Sequence, residues 1–277
     1  SNYFLFLKKN EIFISNRNLF DMRFDTDSEK KNLLQYFPAR QWKKEIILSK
    51  KIGFKILEWT INYENIKENH LYNFNRNKDL LKFMNYHPIS IPSVTCDFFM
   101  QKPFFKSKKY KSSLKDLKKV IELSKKVGVK FIILPLVDNS TIENVTQEKI
   151  LIKELKKVSK LLNNNQKILF EIDYPPNKII LFLKKLNKKF GINYDTGNSA
   201  SLGFDFNEEK KYFKYVYNIH IKDRIFRGQS VRLGKGDFNF KKFFLYIKKI
   251  RYKGNFILQT ARAKKHIDVI ILNRNFI

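Results

Sequence analysis

Three acid or base side chains that could bind a metal ion follow one another in the second half of the chain: Glu171, Asp195 and His220. Each lies within, or at the end of, a short apolar run of the kind found in buried strands. Two carboxylates and one imidazole suit a divalent ion such as Mn²⁺, Co²⁺, Mg²⁺ or Zn²⁺. Gln259 could supply a fourth oxygen through its side-chain carbonyl. We therefore predict one divalent metal ion with these four residues as ligands. The alternative is that the carboxylates pair with Lys or Arg and that His220 is a hydrogen-bonded core histidine.

The elements that must position these residues alternate along the chain as apolar runs and amphipathic segments. The runs predict eight strands: Glu11–Ser15, Lys55–Ile61, Pro92–Phe98, Lys130–Val137, Lys167–Tyr174, Gly191–Asp195, Tyr217–Lys222 and Asn255–Thr260. The amphipathic segments predict these helices: Gln41–Ile52, Asn77–Asn85, Ser113–Val127, Gln147–Leu162, Asn177–Lys188, Glu208–Tyr215, Asn239–Ile250 and Lys265–Arg274. Strands nearly continuous in Val, Ile, Leu and Phe are typical of parallel sheets that are buried on both faces.

Repeated strand–helix units without a linker predict an α/β fold, a single-domain (β/α)8 TIM barrel over residues 1–277. The barrel core spans about residues 11–262 and a closing helix spans 263–277. A doubly wound open sheet is the alternative, but no GxGxxG follows an early strand. In a TIM barrel the active site lies at the carboxyl ends of the strands. Polar side chains do cluster at those predicted ends: Glu58, Asn62, Asp97, Asp138, Asn139, Glu171, Asp173, Asp195, His220, Lys222, Asp223, Gln259 and Arg262.

The overall composition is strongly basic. The 277 residues include 56 Lys and Arg against 26 Asp and Glu, a formal net charge of +30, yet 43% of residues are hydrophobic, which excludes a disordered chain. Lysines recur in pairs on the outer faces of predicted helices, and no nucleic-acid-binding motif accompanies them. We therefore expect a solvated lysine surface and do not expect a nucleic-acid partner. The single cysteine, Cys96, excludes an internal disulfide and a Cys-rich zinc module. No apolar run approaches the roughly 20 residues of a spanning helix. We expect a cytoplasmic protein without a membrane partner.

Several stretches together carry a resemblance to a known family: Phe37-Pro38-Ala39-Arg40-Gln41-Trp42, Leu57-Glu58-Trp59-Thr60, Glu171-Ile172-Asp173, Asn193-Tyr194-Asp195-Thr196-Gly197-Asn198, His220-Ile221-Lys222-Asp223-Arg224, Leu233-Gly234-Lys235-Gly236-Asp237-Phe238 and Phe256-Ile257-Leu258-Gln259. The most specific evidence is that the stretches around Asp195, His220 and Gly234 occur in this order along the chain. On these residues the chain resembles the sugar phosphate isomerase/epimerase family of xylose isomerase-like TIM barrels. This family includes L-ribulose-5-phosphate 3-epimerases, ketose 3-epimerases and inosose dehydratases.

The resemblance implies roles for individual residues. Glu171, Asp195 and His220 correspond to metal ligands, and the strand-8 ligand and second base, usually glutamate, is Gln259 here. Glu171 and Glu58, a strand-2 glutamate near the substrate, are the implied catalytic residues. The candidate substrate-binding residues are Lys222, Arg224, Asn198 and Arg17.

The implied activity is that of a metal-dependent sugar or sugar-phosphate isomerase or epimerase, which abstracts a proton alpha to a carbonyl and holds the enediolate on the metal. A dehydratase or lyase begins with the same step. Because glutamine has no useful basicity, a two-base epimerisation needs Glu58, Asp97, Asp138 or Asp173 in the second role. An aldose–ketose isomerase needs only one base.

Other interpretations stay open. Gln259 also suits a non-catalytic sugar-binding barrel, and an abasic-site endonuclease shares the fold but needs more histidines at strand ends than His220 alone. The expected partner is a small sugar or sugar phosphate, and the resemblance allows a homo-oligomer. Backbone N–H groups of Gly234-Lys235-Gly236 could bind an anion, or the segment could be only a turn. We expect His70, His87 and His266 at the surface.

Overall fold

Eight parallel strands form the centre of the computed structural model, which describes residues 12–15, 42–64, 66–259 and 266–277. The strands are β1 (Ile12–Ser15), β2 (Ile56–Ile61), β3 (Ser90–Cys96), β4 (Phe131–Leu136), β5 (Lys167–Ile172), β6 (Phe190–Asp195), β7 (Val216–Ile221) and β8 (Asn255–Leu258). They close into a barrel in the order β1-β8-β7-β6-β5-β4-β3-β2, and every neighbouring pair is parallel. The predicted TIM barrel is therefore confirmed, with strand ends displaced by one or two residues.

Helices connect the strands. They are α1 (Trp42–Ile52), α2 (Phe74–Tyr86), α3 (Asp97–Gln101), α4 (Ser112–Val127), α5 (Val145–Val158), α6 (Pro176–Lys184), α7 (Thr196–Leu202), α8 (Phe206–Glu209), α9 (Phe240–Lys249) and α10 (His266–Phe276). Short 3-10 turns lie at Ile66–Glu68, Lys108–Tyr110, Asp138–Ser140, Ser159–Leu161 and Lys210–Tyr215. Gly128 ends α4 in the left-handed conformation (φ 80°), where a glycine carries no steric cost. Pro176 begins α6, where its missing N–H is harmless.

The hydrophobic core lies between the barrel and its helices. Aromatic rings fill much of it on the side of β5 and β6: Phe170 stacks on Phe190 with ring centroids 5.8 Å apart, and Tyr194 stacks on Phe243 of α9 at the same distance. Phe170 and Phe243 have no exposed surface. These packed rings hold the strand ends that carry Glu171 and Asp195 against the helical layer.

Two helices that the sequence analysis did not predict begin directly where a strand ends. α3 starts at Asp97, so β3 stops at Cys96 instead of Phe98, and α7 starts at Thr196 immediately after β6. The sequence of α7, TGNSASL, has no apolar periodicity, which is why the pattern missed it. It forms because Asp195 caps it: the Asn198 backbone N–H donates to Asp195 Oδ1 at 2.9 Å.

A two-residue antiparallel ladder, Asp223–Arg224 with Ser230–Val231, extends from the end of β7. Within the described part of the chain, every helix is too short or too polar to cross a bilayer.

Candidate metal centre and substrate site

Glu171, Asp195 and His220 meet at the carboxyl ends of β5, β6 and β7. One ligand atom from each lies within 4.8 Å of the others, and all three side chains are buried. Asp195 is the last residue of β6 and is the direct register partner of His220 on β7. The structure thus brings together the three ligands predicted from the sequence.

The His220 ring separates two groups of polar side chains. Its Nε2 lies 2.9 Å from Glu58 Oε1, on the inner side of the barrel. Its Nδ1 faces the candidate metal centre, where it lies 3.4 Å from Glu171 Oε2, 3.8 Å from Asp195 Oδ2, 3.1 Å from Asn193 Nδ2 and 2.9 Å from Gln259 Nε2. Nδ1 is therefore the ring atom in position to bind an ion.

The charges around the ring shift its acid–base equilibrium and that of Asp195. Burial alone lowers the pKa of His220, but the carboxylates of Glu58, Asp195 and Glu171 outweigh it and hold that pKa well above its ordinary value. Burial alone raises the pKa of Asp195, but Lys222, His220 and the Asn198 N–H outweigh it and hold that pKa well below the usual range. Asp195 is therefore an anion at neutral pH.

A divalent ion fits this donor set. Among the described residues, Asp195 Oδ2 is buried without a hydrogen-bond donor. A buried carboxylate oxygen without a partner is costly, and a cation would satisfy it. Two carboxylates and one imidazole nitrogen also match the ligand preferences of Mn²⁺, Co²⁺ and Zn²⁺.

Asn198 connects the candidate ligands to a basic side chain. Its Nδ2 donates to Glu171 Oε1 at 2.8 Å, its backbone N–H caps Asp195, and its Oδ1 accepts from Arg224 Nη1 at 3.2 Å. The structure therefore places this residue, which the sequence suggests as a substrate contact, where its hydrogen bonds orient two of the candidate ligands.

Lys222 and Arg224 lie half-buried beside the first turn of α7. Arg224 donates from Nε and Nη2 to the Gly228 carbonyl at 3.1 and 2.9 Å, which fixes its guanidinium group. Both aliphatic stems lie against Gly197, where a Cβ would be 2.8 Å from Lys222 Cγ and 3.2 Å from Arg224 Cγ. A Cβ at this position would therefore displace the stems of both basic side chains.

Gln259 and Glu58 occupy opposite sides of His220. Gln259 is 4% exposed, and its backbone N–H donates to the Ile221 carbonyl at 2.9 Å, which holds its amide beside His220 Nδ1. Glu58 has no exposed surface. Arg17, the remaining candidate contact, lies outside the described residues, as do residues 37–41 and Arg262.

Four polar residues of the site were missed by the sequence analysis: Ser93, Thr95, Asn193 and Asn218. A signal was available for the two asparagines, because side chains two residues apart on a strand share a face. Asn193 precedes Asp195 by two residues and Asn218 precedes His220 by two, so both line the barrel interior below the ligands.

The carboxylates weighed as a second base are held differently. Asp173 accepts a hydrogen bond from Thr141 Oγ1, and burial raises its pKa. Asp138 has a left-handed backbone (φ 53°), which is uncommon outside glycine. Asp97 is buried at the start of α3. None of the three belongs to the ligand cluster found among the described residues.

The structure also answers two questions outside the candidate metal centre: the role of the Gly234–Gly236 segment and the exposure of His70. The N–H groups of Gly234 and Gly236 both donate to Asp223 Oδ2 at 2.9 Å, so the structure favours the turn over an anion site. His70 is not at the surface: it is 9% exposed and packs on Trp42, with ring centroids 4.6 Å apart. The expectation for His70 was wrong because its ring packs against Trp42 of α1. His87 is half-buried, and the side chain of His266 lies outside the described part of the chain.

Comparison with known proteins identifies the family of this barrel. The profile of the xylose isomerase-like TIM barrel family matches residues 46–273. The chain belongs to this family. No curated protein matches it. Among solved structures, 3-keto-D-glucoside 4-epimerase from E. coli is similar over 96% of this chain and 98% of its own, with 13% identity and a TM-score of 0.69.

Two solved structures that contain a metal ion are also similar. The IOLI protein, solved with a zinc atom, is 18% identical over 85% of this chain and 90% of its own, with a TM-score of 0.67. A xylose isomerase-like TIM barrel protein from Mycobacterium smegmatis, solved with magnesium, is 14% identical over 87% and 88% of the two chains, with a TM-score of 0.67. At these identities the likeness shows the shared fold.

Proposed function

We propose that this protein is a metal-dependent isomerase or epimerase that acts on a sugar or sugar phosphate. The observation that carries the proposal is the convergence of Glu171, Asp195 and His220 at the barrel mouth, with Asp195 Oδ2 buried and lacking a donor among the described residues. Structurally similar proteins that bind zinc or magnesium, or that act as an epimerase, support it.

One divalent ion would be held by Glu171, Asp195, His220 Nδ1 and the side-chain oxygen of Gln259. Bound there, the ion would act as a Lewis acid toward a substrate carbonyl and would favour loss of the neighbouring proton. The amide of Gln259 would turn its oxygen toward the ion, since the nitrogen now faces His220.

Glu171 is the proposed base. Asn198 and Asn193 donate to its two oxygens at 2.8 and 3.3 Å, so its carboxylate is fixed in orientation and cannot swing away from the site. It would take the proton from the carbon next to the carbonyl. Because Gln259 offers no second base opposite, this arrangement favours a reaction in which one group removes and returns the proton on one face, as in aldose–ketose isomerisation.

Lys222 and Arg224 would bind the anionic or hydroxylated part of the substrate. Both stems rest on Gly197 at the edge of the centre, and Arg224 is bound to Asn198, which in turn holds Glu171. Substrate contact at Arg224 would therefore be transmitted to the orientation of the base.

Calorimetry with Mn²⁺ and Co²⁺ on the chelator-stripped protein tests this function. We expect one ion per wild-type chain and a loss of at least about 100-fold in affinity for Asp195→Ala, which removes a first ligand. The exposed Asp79→Ala on α2 is the matched control and should bind normally. Sugar phosphates would then be screened for metal-dependent incorporation of deuterium from D₂O. Equal binding by wild type and Asp195→Ala, or no binding by either, would contradict the proposal.

A second candidate, a sugar-binding barrel without catalysis, is favoured by Gln259 alone. In that case Glu171→Gln would leave sugar binding intact and change no conversion. A three-metal endonuclease centre is not favoured, because His220 is the one histidine in the cluster found among the described residues.

A further inference from the structure

We infer that Glu58 is a positioning residue that holds the His220 ring through Nε2, so that Nδ1 becomes the metal-binding atom. This inference rests on the proposed function for its consequence, but the contact itself does not depend on an ion. It differs from the sequence-based expectation, in which Glu58 lies next to the substrate and acts on it directly.

The contact between Glu58 and His220 determines which ring nitrogen of His220 carries a hydrogen. Glu58 Oε1 lies 2.9 Å from His220 Nε2, and neither side chain has exposed surface. The pair lies at ion-pair distance without the alignment of a hydrogen bond, since Nε2 has no hydrogen-bond partner among the described residues. A carboxylate oxygen offers only lone pairs, so at this distance Nε2 carries a hydrogen whether the ring is neutral or charged. The proton that an ion displaces is then the one at Nδ1, on the side of Glu171 and Asp195.

Glu58 is itself held from several directions. Ser93 Oγ donates to its Oε2 at 2.9 Å, Thr95 Oγ1 donates to its Oε1 at 2.8 Å, and Asn218 Nδ2 donates to Oε2 at 3.2 Å. With both oxygens bonded, the carboxylate cannot turn toward the barrel mouth without breaking buried hydrogen bonds, each costing about 1–3 kcal/mol to leave unmade.

The same network reaches the proposed base. Asn218 Nδ2 also donates to Asn193 Oδ1 at 2.6 Å, which fixes the direction of the Asn193 amide. Its Nδ2 then faces Glu171 Oε2 at 3.3 Å and His220 Nδ1 at 3.1 Å. Glu58 thus orients His220 directly and Asn193 through Asn218, so two neighbours of the ion depend on it.

The role is tested by observing the ring nitrogens and by measuring metal affinity. In ¹⁵N-labelled wild-type protein loaded with diamagnetic Zn²⁺, long-range ¹H–¹⁵N spectra should show a proton on Nε2 of His220 and none on Nδ1. The signals are assigned by comparison with His220→Asn, since the chain has only four histidines. A deprotonated Nε2 in the Zn²⁺-loaded protein would overturn the inference, and this measurement requires no change at Glu58.

The second arm compares Zn²⁺ affinity in two matched variants. Glu58→Gln keeps the shape and an acceptor but removes the charge, and we expect its affinity to fall roughly 10- to 100-fold, as for other residues that orient a ligating histidine. Glu45→Gln, the same change at an equally buried glutamate on the outer helix α1, should stay within about twofold of wild type. Equal affinities for Glu58→Gln and wild type would contradict the positioning role.

Failure of the proposed function gives a different result. A wild-type protein that binds no Zn²⁺ contradicts the metal-dependent function. The spectra of that ion-free protein still test the contact, because Nε2 of His220 should be protonated and its hydrogen slow to exchange with solvent. A rapidly exchanging Nε2 hydrogen would show that Glu58 does not hold the ring.

Discussion

The buried carboxyl of Glu209 makes the stability of this protein depend on pH near neutrality. Glu209 ends α8 and is 1% exposed. It accepts hydrogen bonds from Ser199 Oγ at 2.7 Å, Tyr194 OH at 2.8 Å and Tyr212 OH at 3.2 Å. The net pKa of Glu209 is raised to about 7. Burial is the largest cause and Asp205 also raises the pKa, while the three hydroxyl groups lower it.

The sign follows from proton counting. Between about pH 4.5 and pH 7 the folded protein keeps the Glu209 proton while the unfolded chain has lost it, so the folded state binds more protons and stability falls as the pH rises. With a folded pKa of about 7 and an ordinary value of 4.5, the loss between pH 5 and pH 8 is about 2.5 kcal/mol of unfolding free energy. Above pH 8 the contribution is constant.

Urea unfolding of wild type and Glu209→Gln at pH 5, 6, 7 and 8 measures this effect. We expect the difference in unfolding free energy between the two proteins to change by about 2.5 kcal/mol over this range, because wild type becomes less stable relative to Glu209→Gln as the pH rises. Glu208→Gln, the same substitution at the adjacent residue, which pairs with Lys211 at the surface, is the control and should leave the pH dependence of wild type unchanged. A difference between wild type and Glu209→Gln that stays constant from pH 5 to pH 8 would refute the reasoning.

Three further predictions concern core packing, the loop held by Asp223, and the two basic side chains proposed to bind the substrate. Phe243→Ala removes a fully buried ring that stacks on Tyr194 and should lower the urea-unfolding free energy by about 3–5 kcal/mol; a loss below about 1 kcal/mol would contradict the packing described. Asp223→Asn leaves an amide facing the N–H groups of Gly234 and Gly236, so it should cost about 1–3 kcal/mol and speed hydrogen exchange at both amides, whereas unchanged exchange would show that the loop is held otherwise. Gly197→Ala displaces the stems of the two basic side chains beside it and should lower kcat/KM about 10- to 100-fold while Mn²⁺ affinity stays within about twofold; the reverse pattern would place these cations at the ion and not at the substrate.

Much of the fold was predictable because apolar strands and amphipathic helices have different periods. Buried parallel strands such as β4 (Phe131–Leu136) and β5 (Lys167–Ile172) are short continuous apolar runs, and α4 (Ser112–Val127) has a clear apolar face and a terminal glycine. α7 was not predictable from such patterns. Its existence depends on the Asp195 cap and on tertiary packing, and its residues are small and polar.

The convergence of the three candidate ligands was predictable from the sequence, whereas most of the polar side chains around them were not. Strand ends of a barrel converge, so Glu171, Asp195 and His220 could be expected to meet without knowledge of any contact. Which nitrogen of His220 faces the centre could not be predicted, because it depends on the pairing of β2 with β3 and on Glu58 lying across the barrel interior. The sequence analysis missed Asn193 and Asn218; strand alternation could have given their positions but not their hydrogen bonds.

The absence of a loop between β6 and α7 restricts how this barrel can be redesigned. Asp195 ends the strand and the helix begins at Thr196, so an insertion at that junction would move a candidate ligand and uncap the helix at once. The connection after β7 differs, because Ile225, Phe226 and Arg227 form an exposed tip, and the Phe226 N–H donates to Asp237 Oδ2. Loop grafting or library diversification aimed at a new substrate therefore belongs at this tip, on condition that the Gly228 carbonyl that holds Arg224 is kept.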